Sequence, residues 1–193
     1  MPCDKNDDTP KQQPEGLFAQ LVKSRTILLA GEVDQELAEK VIGQLLILDG
    51  QSNDPIKMII TTQGGHVDSG FAIHDIMRFI KSPVYAIGAG WVASIGVPIF
   101  LGAAKKYRYS LPNTRYLLHQ PMGGAVGAIK DIRIEAQEIL KIRTKINDLL
   151  AAETGQAVDR IKEDSDRNFW MSAEEAKEYG LVTKIVDSVD DLG

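Results

Sequence analysis

The stretch that decides the fold is Met58-Ile-Ile-Thr-Thr-Gln-Gly-Gly65, followed after one helix by Val84-Tyr-Ala-Ile87 and the glycines Gly88 and Gly90. Each short apolar run is typical of a buried strand, and each is followed by glycines that favour a turn. Between the two runs lies a helical pattern with apolar positions at Phe71, Ile76, Met77 and Ile80. Because strands that alternate with helices pair in parallel through right-handed crossovers, the sequence predicts an α/β fold.

The same alternation extends toward the N-terminus. Thr26-Ile-Leu-Leu-Ala30 is typical of a further buried strand, and Asp34 can cap a helix that continues through Leu48. Residues 1–16 are polar, so we expect a flexible N-terminal arm, with residues 17–193 forming a single domain. The arm has no apolar core of the kind that a signal sequence needs, so we expect a cytoplasmic location.

The second half of the chain changes in character. Residues 107–110 and 115–119 indicate two short strands, and residues 120–127 form a glycine-rich connection. From Ile129 to Glu153 the sequence predicts one long helix with many charged positions. Two interpretations of this helix stay open, a solvated surface helix and an arm that packs on another subunit.

Composition limits the classes of partner and site. The chain has 22 Lys and Arg against 27 Asp and Glu, and its net charge of -5 argues against nucleic acid or an anionic membrane as the main partner. Its one cysteine, Cys3, excludes a disulfide within the chain. With three histidines and no HxH, HExxH or CxxC motif, we expect no metal site.

Two further interpretations of the central segment are weaker. Residues 84–104 carry no charge and could span a bilayer, but their glycines and Pro98 favour a buried strand followed by a buried helix. Gly88-Ala-Gly90-Trp-Val-Ala93 matches a dinucleotide fingerprint, which requires an acidic residue about 20 positions later. No Asp or Glu occurs between Ile76 and Lys130, and Trp91 is bulky where a phosphate loop needs open backbone, so nucleotide binding is disfavoured.

Ser94 is the candidate nucleophile. Pro98 is tolerated near a helix start, so we expect a helix to begin near Ser94, where unpaired N–H groups suit a developing oxyanion. From this segment alone a helix cap and a nucleophile both remain open. A serine nucleophile needs a base, and among His66, His74 and His119 only the last ends an apolar strand that would fix its orientation.

Six motifs together resemble the proteolytic subunits of the Clp protease family (ClpP), in order from about Lys23 to Asp187. The motifs are Thr61-Thr-Gln-Gly-Gly65, Gly90-Trp-Val-Ala-Ser-Ile-Gly96, Leu111-Pro-Asn-Thr-Arg115, Leu118-His-Gln-Pro121, Asp166-Arg-Asn-Phe-Trp-Met-Ser-Ala173 and Glu175-Ala-Lys-Glu-Tyr-Gly180. The resemblance implies a crotonase-like α/β fold with a long protruding helix, and a serine endopeptidase that cleaves unfolded proteins to small peptides. It also implies two stacked seven-membered rings of this subunit or a paralogue, fed by an AAA+ unfoldase. The unfoldase would use ATP, and the subunit itself would need no cofactor.

The resemblance also assigns residues. Ser94 falls on the family's nucleophile and His119 on its base. The N–H groups of Gly65 and Ile95 would hold the oxyanion, in agreement with the glycine turn and the helix start noted above. The helix from Ile129 to Glu153 would be the arm that joins the two rings.

The third triad position departs from the family, which has Asp-Arg-Asp where this chain has Asp166-Arg167-Asn168. Asn168 lies 49 positions after His119, the family's spacing, so we expect it to be the third member. Its NH₂ group can face the imidazole and favour the wrong tautomer. A weakly active or non-catalytic paralogue that needs a complete-triad partner is therefore an alternative. A crotonase-fold enzyme acting on thioesters ranks below both, because Ser94 and His119 occur at the peptidase spacing.

The docking surface departs from the family as well. Lys57 and Ile59 stand where the family commonly has two tyrosines that help to line a pocket for the unfoldase. Phe79 and Leu111 keep the apolar character of that pocket. These differences leave two alternatives open, a pocket that serves a different face and a partner subunit that docks the unfoldase.

Overall fold

The computed structural model describes residues 16–121, 124 and 126–192. The helices are α1 (Leu17–Lys23), α2 (Gln35–Gln51), α3 (Val67–Phe79), α4 (Gly96–Phe100), α5 (Ile129–Thr154), α6 (Val158–Asp164) and α7 (Ala173–Tyr179). The strands are β1 (Thr26–Val33), β2 (Ile56–Gly65), β3 (Val84–Ala93), β4 (Arg108–Ser110), β5 (Arg115–Leu118), β6 (Phe169–Ser172) and β7 (Lys184–Ile185). Short 3-10 turns occupy Lys105–Tyr107 and Val189–Asp191. The predicted arm lies almost wholly outside the described residues, as do residues 122, 123 and 125 of the glycine-rich connection.

The seven strands form one sheet that branches at β3. Strands β1, β2, β3, β4 and β7 lie side by side in that order, and every pair is parallel. The end of β3 leaves β4 and pairs instead with β5, which in turn pairs with β6 in the antiparallel sense. The predicted α/β class with parallel pairing is confirmed, and the branch brings the ends of β3 and β5 and the start of β6 together.

The strand β3 is longer than its sequence predicts. The expectation that it ends at the glycines after Ile87 is wrong, because the chain continues as a strand through Ala93. Val92 pairs with Thr62 of β2 on one side, and residues 91–93 pair with residues 115–117 of β5 on the other. Backbone hydrogen bonding to both neighbours therefore outweighs the local turn preference, and the glycine run is not a phosphate-binding loop.

The core lies between the sheet and the helices α2, α3 and α4. Ile27 of β1 pairs with Met58 of β2, and Leu29 pairs with Ile60 two positions later, so the four side chains share one face and are fully buried. The helix α2 buries the apolar face formed by Ala38, Val41, Leu45 and Leu48. As predicted, Asp34 caps this helix, and its carboxylate accepts a hydrogen bond from the Leu37 N–H at 2.7 Å.

Residues 84–104 form the strand β3, the buried helix α4 and the turn that follows it, as the favoured interpretation predicts. In the ranges that the structure describes, every helix is too short or too polar to cross a membrane.

The helix α5 is exposed along most of its length. Its buried residues are Asn147, Leu150 and Thr154, all in its C-terminal third. Toward its N-terminus, large apolar side chains such as Ile129 and Ile134 are exposed to solvent. The helix therefore protrudes from the body of this chain, as the resemblance implies.

A buried ion pair fixes the base of α5 to the sheet. The Arg108 side chain on β4 is 1% exposed and forms a salt bridge with Glu153. Its guanidinium also donates to the carbonyl oxygens of Ala103 at 2.9 Å and Leu101 at 3.1 Å. Arg78 of α3 donates to the same Glu153 carboxylate at 2.7 Å. Because the charge on Arg108 is fully partnered, its burial is tolerated.

Candidate active site

Ser94 lies in the turn between β3 and α4 and has an unusual backbone conformation. Its φ of 55° lies in the left-handed region, which is uncommon for a residue other than glycine. Its N–H donates to the Leu117 carbonyl of β5 at 3.0 Å, which ties the turn to the neighbouring strand. The predicted helix start near Ser94 is two residues early, because α4 begins at Gly96 with Ile95 as its N-cap. No side chain caps α4, so the capping interpretation of Ser94 is wrong.

The glycines expected to form a turn instead end β2, where Gly64 and Gly65 pair with β1, and Gly64 packs directly against Ser94. A Cβ atom added at Gly64 would lie 2.5 Å from the Ser94 Cβ and 3.1 Å from its hydroxyl oxygen. At Gly65 the φ is 149°, and an added Cβ would lie 2.3 Å from the Val33 carbonyl oxygen. Only glycine fits both positions, and the contact of Gly64 with Ser94 leaves Gly65 one residue away from the neighbour of the candidate nucleophile.

Ile95 supplies an unpaired N–H group beside Ser94. Among the described residues, this N–H has no hydrogen-bond acceptor, whereas the Ser94 N–H is occupied by Leu117. The Ile95 side chain is buried against α3, where a Cβ added at Gly70 would lie 2.2 Å from its Cγ1. The free N–H is the kind of donor that the sequence argument expected at this helix start.

His119 and Asn168 are brought together by the register of β5 and β6. The last antiparallel pair of this ladder is Leu118 with Phe169, so His119 and Asn168 are the next positions beyond it on the two strands. The Gln120 side chain donates to the Asp166 carbonyl at 3.0 Å and links the two segments. His119 is half-buried and Asn168 is exposed. This proximity depends on pairing between segments about 50 residues apart.

Ser94 and His119 share one cleft, which we call the Ser94 cleft. Its volume is about 20 Å³. The cleft is otherwise lined by apolar side chains of α3, α4, β5 and α5, namely Val67, Ile95, Pro98, Leu118, Ile146 and Leu150, and by Pro121. Asn168 does not line it, and within the described part of the chain His119 is hydrogen bonded to neither Ser94 nor Asn168. Such bonds are often long or unmade before substrate binds.

The other two histidines have different surroundings. His74 is buried on α3, and its Nδ1 lies 2.7 Å from the Pro98 carbonyl oxygen of α4. Burial lowers the pKa of His74 below its usual value, so the neutral ring is favoured. His66 is exposed and caps α3, with its Nδ1 2.9 Å from the Ser69 hydroxyl. Neither ring lines the Ser94 cleft, so only His119 is placed to serve Ser94.

The residues so assembled suit acyl transfer. A serine hydroxyl, an imidazole and a free N–H meet at one cleft, which are the groups that attack a carbonyl, move a proton and hold an oxyanion. Within the described ranges, no three His, Cys, Asp or Glu side chains cluster in a way that could hold a metal ion.

Comparison with known proteins gives the family. The sequence profile of the family described as Clp protease matches residues 10–189. The chain belongs to the Clp protease family. It is 50% identical to the ATP-dependent Clp protease proteolytic subunit 3 of Rhizobium johnstonii, over 96% of this chain and 97% of that protein. It is 42% identical to the corresponding subunit 2 of Treponema pallidum, over 100% of this chain and 98% of that protein.

A solved structure agrees with the sequence comparison. ClpP1 of Listeria monocytogenes, solved as an asparagine-to-aspartate mutant, superposes with a TM-score of 0.85. It shares 50% sequence identity and covers 92% of this chain and 99% of that protein. The predicted crotonase-like ClpP fold is confirmed. This Clp protease subunit is a serine endopeptidase of the barrel-forming, ATP-dependent type, and the non-catalytic paralogue is not favoured.

Sequence reasoning missed two structural features near the site. The first is the buried pair of Arg108 with Glu153, which no local pattern distinguishes, because Arg108 follows the exposed cations Lys105 and Lys106. The second is the cap that His66 provides for α3. Its position directly after two glycines at a strand end marks a helix start, but histidine is not among the preferred capping residues.

Proposed function

We propose that Ser94, His119 and Asn168 are the catalytic triad of this peptidase, with the N–H groups of Gly65 and Ile95 as the oxyanion hole. The observation that carries the proposal is the Ser94 cleft. It places the serine and the imidazole on one small apolar surface, directly beside the unpaired Ile95 N–H. The strained φ of Ser94 supports it, because such conformations concentrate at functional sites.

The chemistry follows from these positions. The Ser94 Oγ attacks the peptide carbonyl carbon while its proton passes to the His119 imidazole. The carbonyl electron pair moves onto oxygen, where the N–H groups of Gly65 and Ile95 donate hydrogen bonds. When the carbonyl reforms, the C–N bond breaks and the leaving amine takes the proton from His119. Water, deprotonated by His119, then attacks the acyl-enzyme and releases Ser94.

Asn168 orients the His119 ring in this mechanism. At its position beyond the β5–β6 ladder, the amide oxygen can accept the Nδ1–H of His119 when the ring turns toward it. A neutral amide does not offset the positive charge that the ring gains, so the chain is expected to be a slow peptidase alone. An aspartate in the same place would supply that charge.

Unfolded polypeptide is the proposed substrate, and stacked seven-membered rings fed by an AAA+ unfoldase are the proposed assembly. The exposed apolar side chains Ile129, Ile134 and Leu140 on α5 support burial of that helix against another subunit. A cavity of about 230 Å³ gathers Lys57, Ile59 and Leu111 of the expected docking surface. Phe79 does not line this cavity and is 79% exposed.

Replacement of the nucleophile tests the proposed site. Ser94→Ala is expected to abolish both peptide cleavage and labelling by a fluorophosphonate, while light scattering shows an unchanged assembly. Ser24→Ala is the matched control, because Ser24 is exposed at the end of α1 and does not line the Ser94 cleft. Labelling of the Ser94→Ala protein at the parental rate would show that another residue is the nucleophile.

A further inference from the structure

His66 joins the end of β2, at Gly64 and Gly65, to the helix α3. It follows Gly65 directly, and its N–H donates to the Val33 carbonyl of β1 at 2.6 Å. Its ring lies at the N-terminus of α3, where the Nδ1 is 2.9 Å from the Ser69 hydroxyl and 3.4 Å from the Ser69 N–H. His66 therefore ties the end of β2 to β1 through its backbone N–H, and it caps α3 through its side chain.

This cap fixes the tautomer of the His66 ring. To accept from the Ser69 N–H, the His66 Nδ1 must carry a lone pair, so the ring proton must be on Nε2.

The last two residues of β2, which precede this cap, have little conformational freedom. Gly64 lies against Ser94, and the conformation of Gly65 is set by its close approach to Val33. The direction of the Gly65 N–H is thus determined by β2 on one side and by the start of α3 on the other. If the cap on α3 is lost, the first turn of that helix frays and one of the two supports disappears.

We propose that His66 is a positioning residue for the oxyanion hole, and that its cap on α3 keeps the Gly65 N–H directed for acylation of Ser94. The inference rests on the proposed role of Gly65 as an oxyanion donor.

Two substitutions test the cap. His66→Ala removes the acceptor, and we expect the rate of Ser94 labelling by a fluorophosphonate at pH 8 to fall about three- to tenfold, as for loss of a helix cap. His66→Ser keeps an acceptor that does not titrate, and it is expected to restore the parental rate at pH 8. Ser172→Ala is the matched control, because it removes the cap of α7 at the far end of β6.

Rescue by His66→Ser is the decisive measurement. The labelling rate should follow the presence of an acceptor at the start of α3, low in His66→Ala and parental in His66→Ser. Light scattering verifies that the assembly of each variant persists. A parental rate in His66→Ala, or a rate in His66→Ser as low as that in His66→Ala, would overturn the proposal.

Failure of this inference can be told apart from failure of the proposed site. If Ser94→Ala is not labelled while His66→Ala is labelled as fast as the parent, the site stands and the role of His66 is wrong. If Ser94→Ala is labelled at the parental rate, the assignment of the site is wrong, and the inference falls with it.

Discussion

Replacing Asn168 with aspartate should accelerate this peptidase. The exchange is nearly isosteric, and Asn168 is exposed, so packing should barely change. A carboxylate beyond the β5–β6 ladder faces the position of His119 and can hold the imidazolium that forms during acylation. The Listeria ClpP1 structure shows that an asparagine-to-aspartate exchange in a relative is compatible with this fold.

The size of the effect follows from the exposure of the site. Opposite charges about 4 Å apart attract by about 1 kcal/mol in water and about 4 kcal/mol at an effective dielectric constant of about 20. Since about 1.4 kcal/mol corresponds to a tenfold rate, Asn168→Asp should raise kcat by about 5-fold to 1000-fold. The reverse exchange in chymotrypsin-type enzymes costs about 10⁴, which sets the ceiling.

The assay is turnover of a small fluorogenic peptide at equal concentrations of assembled particles. Asn53→Asp adds the same charge at an exposed turn between α2 and β2 and should leave kcat unchanged. If Asn168→Asp is no faster than the parent while its assembly is intact, the imidazolium is not what limits acylation. If the parent is already as fast as a peptidase with a complete triad, Asn168 orients His119 adequately and the reasoning about its charge is refuted.

Three further predictions concern stability and assembly. Glu153→Gln leaves the buried Arg108 without its counter-charge and should lower the free energy of unfolding by about 3 kcal/mol in urea denaturation, whereas Arg78→Ala, which removes a half-exposed partner, should cost about 1 kcal/mol or less. Because burial lowers the pKa of His74 in the folded chain, the unfolded chain takes up the proton at a higher pH than the folded chain does. The contribution of His74 to the free energy of unfolding should therefore be complete above about pH 6.5 and should be lost as the pH falls. A His74→Gln variant should show a smaller fall in Tm between pH 7 and pH 5 than the parent. The exposed apolar residues of α5 should make the protein a large assembly, and a monomer in light scattering over a wide concentration range would contradict this.

The amino-acid sequence by itself determined the fold class, the family and the two principal candidates of the site. Buried strands and amphipathic helices leave local periodicities, and Met58–Gly65 with the helix that follows shows both. Ser94 could be selected because it lies at an expected helix start, where unpaired N–H groups suit an oxyanion, and His119 because it ends an apolar strand that fixes its orientation. Asn168 required the family's spacing, since nothing local distinguishes it from other exposed asparagines.

Only the tertiary structure decided where β3 ends and which groups meet. The glycines after Ile87 favour a turn locally, but hydrogen bonding to β2 and β5 on both sides extends the strand to the edge of Ser94. The cap that His66 gives to α3 and the ion pair of Arg108 with Glu153 likewise depend on where the chain has folded. The physical reason is the same in each case: a polar group takes the partner that burial brings to it, and distant segments supply that partner independently of local sequence pattern.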